Sequence, residues 1–195
     1  MGRSLILLDY DDTLFPTTFV TPLYLHSKKN GISFDLYKEL YSFFCIIRTV
    51  LQRWIQLENT DIKLITNSMG GWINKSMVTF LPDLYISSLL HMIEFIIPKE
   101  MKNIDFTRYS NPKDYIFEHL VHSGVYDTIY SFNDSVEEST TLVTFATGAG
   151  ITCSGFVFKW RPTLQELTQQ WETIRDMAPE LFCAGSGRVQ YIPTH

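Results

Sequence analysis

The sequence predicts an α/β protein in which buried strands alternate with amphipathic helices around a mostly parallel, five-stranded sheet. Two observations support this class. Short apolar runs recur along the 195-residue chain, as is typical of strands covered on both faces. Segments with apolar residues at helical spacing separate these runs. Such alternation implies right-handed crossovers between strands, and hence a Rossmann-like three-layer sandwich with helices on both faces of the sheet.

The predicted strands are apolar runs bounded by turn or cap residues. The first, "SLILL", stops at Asp9, and the second, "DIKLIT", leads into Asn67. Both are too short for helices and too apolar for surface loops. In chain order, the five predicted strands are 4–8, 61–66, 94–98, 128–132 and 151–158.

The predicted helices show apolar residues at intervals of three and four, with cap residues at their ends. Asn67 or Ser68 caps the second helix, which Pro82 closes. Ser110 or Asn111 caps the third, which has Pro112 at its first position. In chain order, the predicted helices are 34–57, 68–80, 112–124, a segment from about 136, and 161–177.

Length and composition favour a single domain over residues 1–195, with no repeat or linker and with a packed C-terminal tail over 179–195. Hydrophobic residues make up 45% and charged residues 19%, so we expect a full core. The net charge of -5 and the lack of a Lys/Arg run disfavour general nucleic-acid binding. The cysteines form no CxxC pair, which is typical of reduced thiols. With neither a signal peptide nor a membrane span predicted, we expect a cytoplasmic protein without membrane association.

Polar and charged residues follow the predicted strands at the points where the strands end. In a parallel sheet these ends share one edge, where ligands bind near the topological switch point. The side chains expected there are Asp9 and Asp11 after the first strand, Thr66, Asn67 and Ser68 after the second, Lys113 at the start of the helix after the third, and Asp134 and Glu138 after the fourth.

Carboxylates gathered at one edge repel each other unless a cation lies between them. Oxygen ligands favour Mg²⁺, which also keeps water and binds substrate phosphate. No set of Cys and His residues in the chain has the spacing of transition-metal ligands. The sequence therefore predicts a Mg²⁺ site.

The first two of these segments resemble motifs of the haloacid dehalogenase-like (HAD) superfamily of phosphohydrolases. A hydrophobic strand followed by D-x-D-x-T is present as "LILLDYDDTL", from Asp9 to Thr13. A hydrophobic strand that ends in Thr or Ser is present as "KLITN", with Thr66. The resemblance extends over residues 4–159, with the motifs in order.

The third and fourth motifs are also present, with departures. Lys113 in "NPKDY" best matches the third, a lysine at a helix start, and Lys99 and Lys102 are the alternatives. The fourth, an acidic pair after a strand, stands as "YSFNDSVEES". This chain has Asn133 where the superfamily usually has Gly, and Glu138 where it usually has a second Asp.

The resemblance implies a Mg²⁺-dependent phosphatase that acts through an aspartyl-phosphate. Asp9 would be the nucleophile, and Asp11 would protonate the leaving group and later deprotonate water. Asp12 is interpreted as structural. The other implied roles are phosphate binding by Thr66, Asn67 and Lys113, Mg²⁺ ligation by Asp9, Asp134 and the carbonyl of Asp11, and support of these groups by Glu138 and Thr13.

Two other functions remain open at this point. A receiver-like phospho-acceptor domain also gathers acids around Mg²⁺, but it is shorter and has no need of an acid at Asp11. An inactive relative that binds a partner or a phospholigand would suit Asn133, whereas the intact Asp9 and Asp11 favour an enzyme. Dehalogenation is disfavoured because it produces no alkoxide for Asp11 to protonate.

The substrate is the least specified part of the prediction. In the superfamily, a cap inserted after the first motif or the third strand selects the substrate. Here residues 14–60 hold only a predicted flap (15–30) and the long helix, and 99–110 is a loop, which predicts a minimal cap. Such an open site suits a large phosphorylated substrate, such as a phosphoprotein or a nucleic-acid end, or a lid supplied by a partner, and a small phosphate ester is the alternative. The flap aromatics Phe15, Phe19 and Tyr24 are either the contacts of a large substrate or core residues.

Overall fold

The chain folds into an α/β structure with a six-stranded, all-parallel sheet and helices on both faces. This computed structural model describes residues 2–80, 89, 92–102, 104–181 and 187–194, with residues 178–181 described by backbone alone. The strands are β1 (Ser4–Asp9), β2 (Thr60–Ile65), β3 (Glu94–Ile96), β4 (Thr128–Asn133), β5 (Thr152–Val157) and β6 (Arg188–Tyr191).

The sheet order is β3-β2-β1-β4-β5-β6, which is Rossmann-like. The order changes direction between β1 and β4, so the topological switch point lies there. Ser4 pairs with Thr60 on one side and Thr128 on the other, and Asp9 pairs with Ile65. The three strands therefore start and end together, and the residues that follow them meet at one edge.

The predicted helices are confirmed, with boundaries shifted by a few residues. Asn111 caps the third of them, and the positive φ of Gly124 lies just beyond its end, as the sequence predicts. The helices are α1 (Thr17–Val20), α2 (Tyr24–Asn30), α3 (Phe34–Ile55), α4 (Gly70–Phe80), α5 (Pro112–His122), α6 (Val136–Gly148) and α7 (Leu164–Leu181).

Alternate residues of β1 point to two separate cores. Ile6 and Leu8 pack on the face covered by α3, α4 and α7, where Trp54 lies against Trp171. Leu5 and Leu7 pack on the opposite face, beneath α5 and α6. Helix α3 is thus a layer of the sandwich that packs on α7. Of the expected cap region, only α1 and α2 remain outside this layer.

The prediction of five strands is wrong, because the expected tail over 179–195 contains β6. This strand pairs with β5 in parallel, from Ser154 with Arg188 to Val157 with Tyr191. It is an edge strand whose residues are partly or fully exposed, so it carries no apolar run that could reveal it. Pro82 and Cys183 lie outside the described residues.

The prediction of a loop over 15–30 is also wrong, because the segment contains α1, a turn of 3-10 helix and α2. These elements are each shorter than the window in which helical spacing can be recognised. Phe15 is fully buried and stacks on Tyr10 at 5.2 Å between ring centroids, so it cannot contact a substrate as expected. Phe19 and Tyr24 are half-buried against the same core.

Candidate active site

The candidate site lies at the carboxyl ends of β1, β2 and β4, beside the switch point. Asp9 is the last residue of β1, and Thr66 follows β2. Asp134 follows β4, and Lys113 is the second residue of α5, two positions after its cap. Four segments that are distant in the sequence therefore supply this edge, as the motif spacing predicted.

A buried lysine joins two carboxylates at the centre of the site. Lys113, which is 2% exposed, places its Nζ 2.9 Å from Asp9 Oδ1 and 2.8 Å from Glu138 Oε2. The backbone N–H of Tyr10 also donates to Asp9 Oδ1, at 2.7 Å. No donor among the described residues reaches Asp9 Oδ2. One oxygen of Asp9 is thus held in place and the other is left available.

The site holds more buried acid than the lysine can neutralise. Burial raises the pKa of Asp9, and Glu138 and Asp134 add to this rise, whereas Lys113 opposes it. Burial also raises the pKa of Asp134 to about 6, again against the effect of Lys113. Burial lowers the pKa of Lys113, but Asp9 and Glu138 outweigh this, so its pKa is raised. Lys113 is therefore a permanent cation in an acidic cluster.

Three hydroxyl groups hold the carboxylate of Asp11. Thr17 Oγ1 donates to Asp11 Oδ1 at 2.6 Å, while Ser68 Oγ and Thr66 Oγ1 donate to Oδ2 at 2.6 and 3.1 Å. The Thr66 hydroxyl also accepts from the N–H of Ser68 at 2.9 Å, so it must leave Asp11 before it can bind a phosphate. Ser68 was predicted to lie at this edge but was given no role, and Thr17 was not predicted to take part, because isolated hydroxyl residues have no distinctive spacing.

Asp12 and Thr13 connect the loop after β1 to its surroundings. Asp12 has a φ of 52°, a left-handed conformation that aspartate tolerates, and its carboxylate accepts from the N–H of Thr18 at 2.7 Å. It therefore fastens α1 to the loop. Thr13 is fully buried, and its carbonyl accepts from Trp171 Nε1 at 2.8 Å. Its hydroxyl has no partner among the described residues.

Asn111 links the segments around Lys113, although the sequence identified it only as a candidate cap. Its Oδ1 accepts from Asn67 Nδ2 at 3.1 Å and from the N–H of Lys113 at 3.0 Å. Its Nδ2 donates to Glu138 Oε1 at 2.8 Å. Asn67 therefore contacts Asn111, and its own Oδ1 is buried without a partner among the described residues.

The alternative lysines lie outside this cluster. Lys99 and Lys102 are exposed, and of the three candidates it is Lys113 that pairs with Asp9. Lys99 lines a neighbouring pocket of about 380 Å³ that also includes Asn67 and Asn111.

Asn133, the departure from the fourth motif, is used within the turn between β4 and α6. It is 3% exposed, and its amide donates to Ser131 at 2.8 Å and to Ser139 at 2.9 Å. Its Oδ1 accepts from the N–H of Ser135 at 3.0 Å. Both the nitrogen and the oxygen of the Asn133 amide are therefore hydrogen-bonded, and Asn133 stabilises the turn that precedes α6.

The donor set fits Mg²⁺ better than a transition metal. Within the described residues, no three His, Cys, Asp or Glu side chains form a ready-made metal cluster. Asp9, which is buried, and Asp134, which is partly buried, are however close enough that Asp134 raises the pKa of Asp9. No described side chain donates a hydrogen bond to Asp134. Mg²⁺ is characteristically bound by one or two carboxylates, with water and phosphate oxygens completing the shell.

Fold and site together define a parallel α/β protein with a lysine-containing acidic cluster at its switch point. Comparison of the chain with protein-family models, curated proteins and solved structures gives no match. No helix in the described part of the chain is long and apolar enough to span a membrane.

Proposed function

We propose that this protein is a Mg²⁺-dependent phosphatase of the haloacid dehalogenase-like type, which hydrolyses phosphate monoesters through an aspartyl-phosphate on Asp9. One observation carries the proposal: buried Lys113 holds Asp9 by Oδ1 while Asp9 Oδ2 receives no donor from the described residues. A carboxylate held in this way presents one oxygen as a nucleophile. The order and spacing of the four motifs support the same assignment.

In the first step, Asp9 Oδ2 forms a bond to phosphorus and the bond from phosphorus to the leaving oxygen breaks. Asp11 gives its proton to that oxygen. Lys113 offsets the negative charge that meets at Asp9. In the second step, Asp11 takes a proton from water, whose oxygen attacks phosphorus and releases Asp9 and inorganic phosphate. The hydroxyls around Asp11 suit both steps, because a hydroxyl can donate to a carboxylate or accept from a carboxylic acid.

Phosphate binding is assigned to Thr66, Asn67 and Lys113. Helices α5 and α6 begin at the same edge, and their N-terminal N–H groups favour anions there. Asp9, Asp134 and the carbonyl of Asp11 would hold Mg²⁺, which when bound neutralises charge so that the phosphate and Asp9 can approach each other.

An inactive phosphate-binding relative is the main alternative, and a receiver-like phospho-acceptor is the other. Asn133 was the feature that favoured inactivity. Because its amide is used by Ser131, Ser135 and Ser139, it gives no reason to expect that Asp134 is displaced. A receiver-like domain would accept a phosphoryl group once and release no phosphate in repeated turnover, so a turnover assay separates the proposed phosphatase from both alternatives.

We propose a macromolecular phosphate ester, with a phosphoprotein as the first choice, as the substrate. In support, the described residues between β3 and α5 form only two turns of 3-10 helix, Pro98–Glu100 and Phe106–Arg108. A larger substrate would gain contacts with α1 and α2, and remote binding energy of this kind raises turnover.

The test is phosphate release from phosphopeptides, sugar phosphates, nucleotides and p-nitrophenyl phosphate, with Mg²⁺ and with EDTA. We expect turnover only with Mg²⁺, a higher Mg²⁺ requirement for Asp134→Ala, and the best kcat/KM on phosphopeptides. Full activity in EDTA would contradict the metal assignment. A sugar phosphate or nucleotide hydrolysed near 10⁶ M⁻¹s⁻¹, well within the usual enzyme range, would contradict the proposed minimal cap.

A further inference from the structure

Glu138 is held at both of its carboxylate oxygens. Oε2 pairs with Lys113 Nζ at 2.8 Å, and Oε1 accepts from Asn111 Nδ2 at 2.8 Å. No other side chain in the described part of the chain donates to Oε1. The orientation of Glu138, and through it that of Lys113, therefore depends on a single amide.

Asn111 is itself fixed from two directions. Its Oδ1 accepts from the N–H of Lys113 and from Asn67 Nδ2, and its backbone N–H donates to Asp114 Oδ2 at 3.2 Å. The side chain cannot turn without losing the cap of α5. Hydrogen bonds thus run unbroken from Asn67 after β2, through Asn111, to Glu138 on α6.

We propose that Asn111 is a positioning residue: its amide bridges Asn67 and Glu138 and so holds Glu138 where it pairs with Lys113 beside Asp9. Loss of the Nδ2 donor leaves a largely buried oxygen of Glu138 unpaired, which favours rotation of that side chain away from Lys113. The consequence for turnover rests on the proposed function, whereas the coupling between Asn111 and Glu138 does not.

A variant that keeps the cap of α5 but loses the bridge distinguishes the two roles of Asn111. Serine and asparagine cap helices about equally well, so Asn111→Ser keeps the cap and loses the bridge. Ser123→Ala is the matched control, because Ser123 Oγ bonds to the Leu120 carbonyl at the other end of α5, at 2.7 Å. It weakens the same helix without touching the bridge.

The first experiment measures urea unfolding of the full chain in EDTA for Asn111→Ser, Glu138→Ala and the double variant. We expect non-additive shifts in the unfolding midpoint, with Asn111→Ser costing less once Glu138 is absent. Ser123→Ala combined with Glu138→Ala should be additive. A second cycle uses Asn67→Ala in place of Glu138→Ala, so that Lys113 keeps both of its carboxylate partners. The shifts in the unfolding midpoint should again be non-additive. Additive shifts in the Asn111 cycles would overturn the proposal.

The second experiment follows p-nitrophenyl phosphate hydrolysis with Mg²⁺. We expect Asn111→Ser to lower kcat about 10- to 100-fold, the range typical of residues that orient catalytic groups, with KM nearly unchanged. In the Glu138→Ala background it should lower kcat less than about twofold, and Ser123→Ala should leave kcat unchanged. Equal losses in both backgrounds would overturn the inference. A wild-type chain without turnover would instead contradict the proposed function, and the unfolding cycles would still decide the role of Asn111.

Discussion

The two ends of the sheet carry the same kinds of charged side chain in opposite environments. At the amino edge, Arg3 pairs with Asp61 at 2.9 Å in contact with solvent, and Tyr126 donates to Asp61 at 2.8 Å. Partial burial raises the pKa of Asp61, but the hydrogen bonds from Arg3 and Tyr126 outweigh it, so its pKa is lowered. At the carboxyl edge, burial dominates and the pKa values of Asp9 and Asp134 are raised.

This difference separates charged groups that stabilise the folded state from charged groups that destabilise it. A carboxylate with a lowered pKa is stabilised by its surroundings, whereas one with a raised pKa is held at a cost to folding. Exposed ion pairs contribute little, and a buried excess of acid is unfavourable unless something outside the folded chain neutralises it. The raised pKa values at the carboxyl edge are what the proposed Mg²⁺ and phosphate site would require.

The test with the largest expected effect replaces one aspartate at each edge of the sheet with asparagine. Asp9→Asn should lower phosphatase turnover by about 10³-fold or more, because it removes the proposed nucleophile. Asp61→Asn, its control at the amino edge, should keep turnover within about twofold. Steady-state assays measure both, and circular dichroism confirms that each variant is folded. Turnover in Asp9→Asn close to that of the wild type would contradict the covalent mechanism.

The next test concerns stability and compares Lys113 with Lys63, a β2 lysine that lines the same pocket as Arg3 and Asp61. Lys113→Met leaves two buried carboxylates without their cation and should cost about 3–5 kcal/mol of the free energy of unfolding. Lys63→Met removes a lysine that pairs with the exposed Glu94 and should cost below about 1 kcal/mol. Urea unfolding at pH 7 compares them. Similar costs for the two variants would mean that the edges do not differ as proposed.

A third prediction concerns pH and Mg²⁺. The pKa of Asp134 is about 6 in the folded chain, against roughly 3.9 when unfolded. The folded state thus binds the proton more tightly, and metal-free stability should fall on the order of 2 kcal/mol as pH rises from about 4 to 7. Mg²⁺ competes with that proton, so it should raise the melting temperature more at pH 7.5 than at pH 5.

Asp134→Asn is the control for this titration. It should reduce both the slope of stability against pH and the response to Mg²⁺, while Asp61→Asn should change neither in this pH range. An equal response to Mg²⁺ at pH 5 and pH 7.5 in the wild type would show that the cation does not bind at these carboxylates.

The sequence contained enough to predict most of the sheet and the residues at its carboxyl edge. Buried parallel strands are uninterrupted apolar runs, and parallel strands place their ends together, so Asp9, Thr66 and Asp134 could be assigned to one edge. Edge strand β6 could not be predicted, since a half-exposed strand has no uninterrupted apolar run. The burial of Phe15 could not be predicted either, because the local sequence around an aromatic residue in a proline-containing segment does not distinguish a buried from an exposed position.

The supporting contacts of the site could not be predicted for a different reason. Asn111 and Glu138 are 27 residues apart, and Ser68 and Asp11 are 57 apart. A single asparagine or serine carries no periodicity that could indicate such a partner. Only the motif residues, which occur in recognisable local patterns, were visible in the sequence.

The smallest expected effect belongs to the amino edge. Asp61→Asn should cost below about 1 kcal/mol at pH 7, because Asp61 is in contact with solvent and its pairing with the exposed Arg3 is screened. Since the folded pKa of Asp61 is lowered, this contribution is present above about pH 4 and is lost as pH falls through the folded pKa, the opposite sign to that of Asp134. Urea unfolding at pH 7 and pH 2.5, with and without 0.5 M NaCl, measures it, and the added salt should shrink the difference at pH 7. A cost above about 2 kcal/mol that is insensitive to salt would show that the amino edge also holds its charges out of solvent, and the contrast between the two edges would fail.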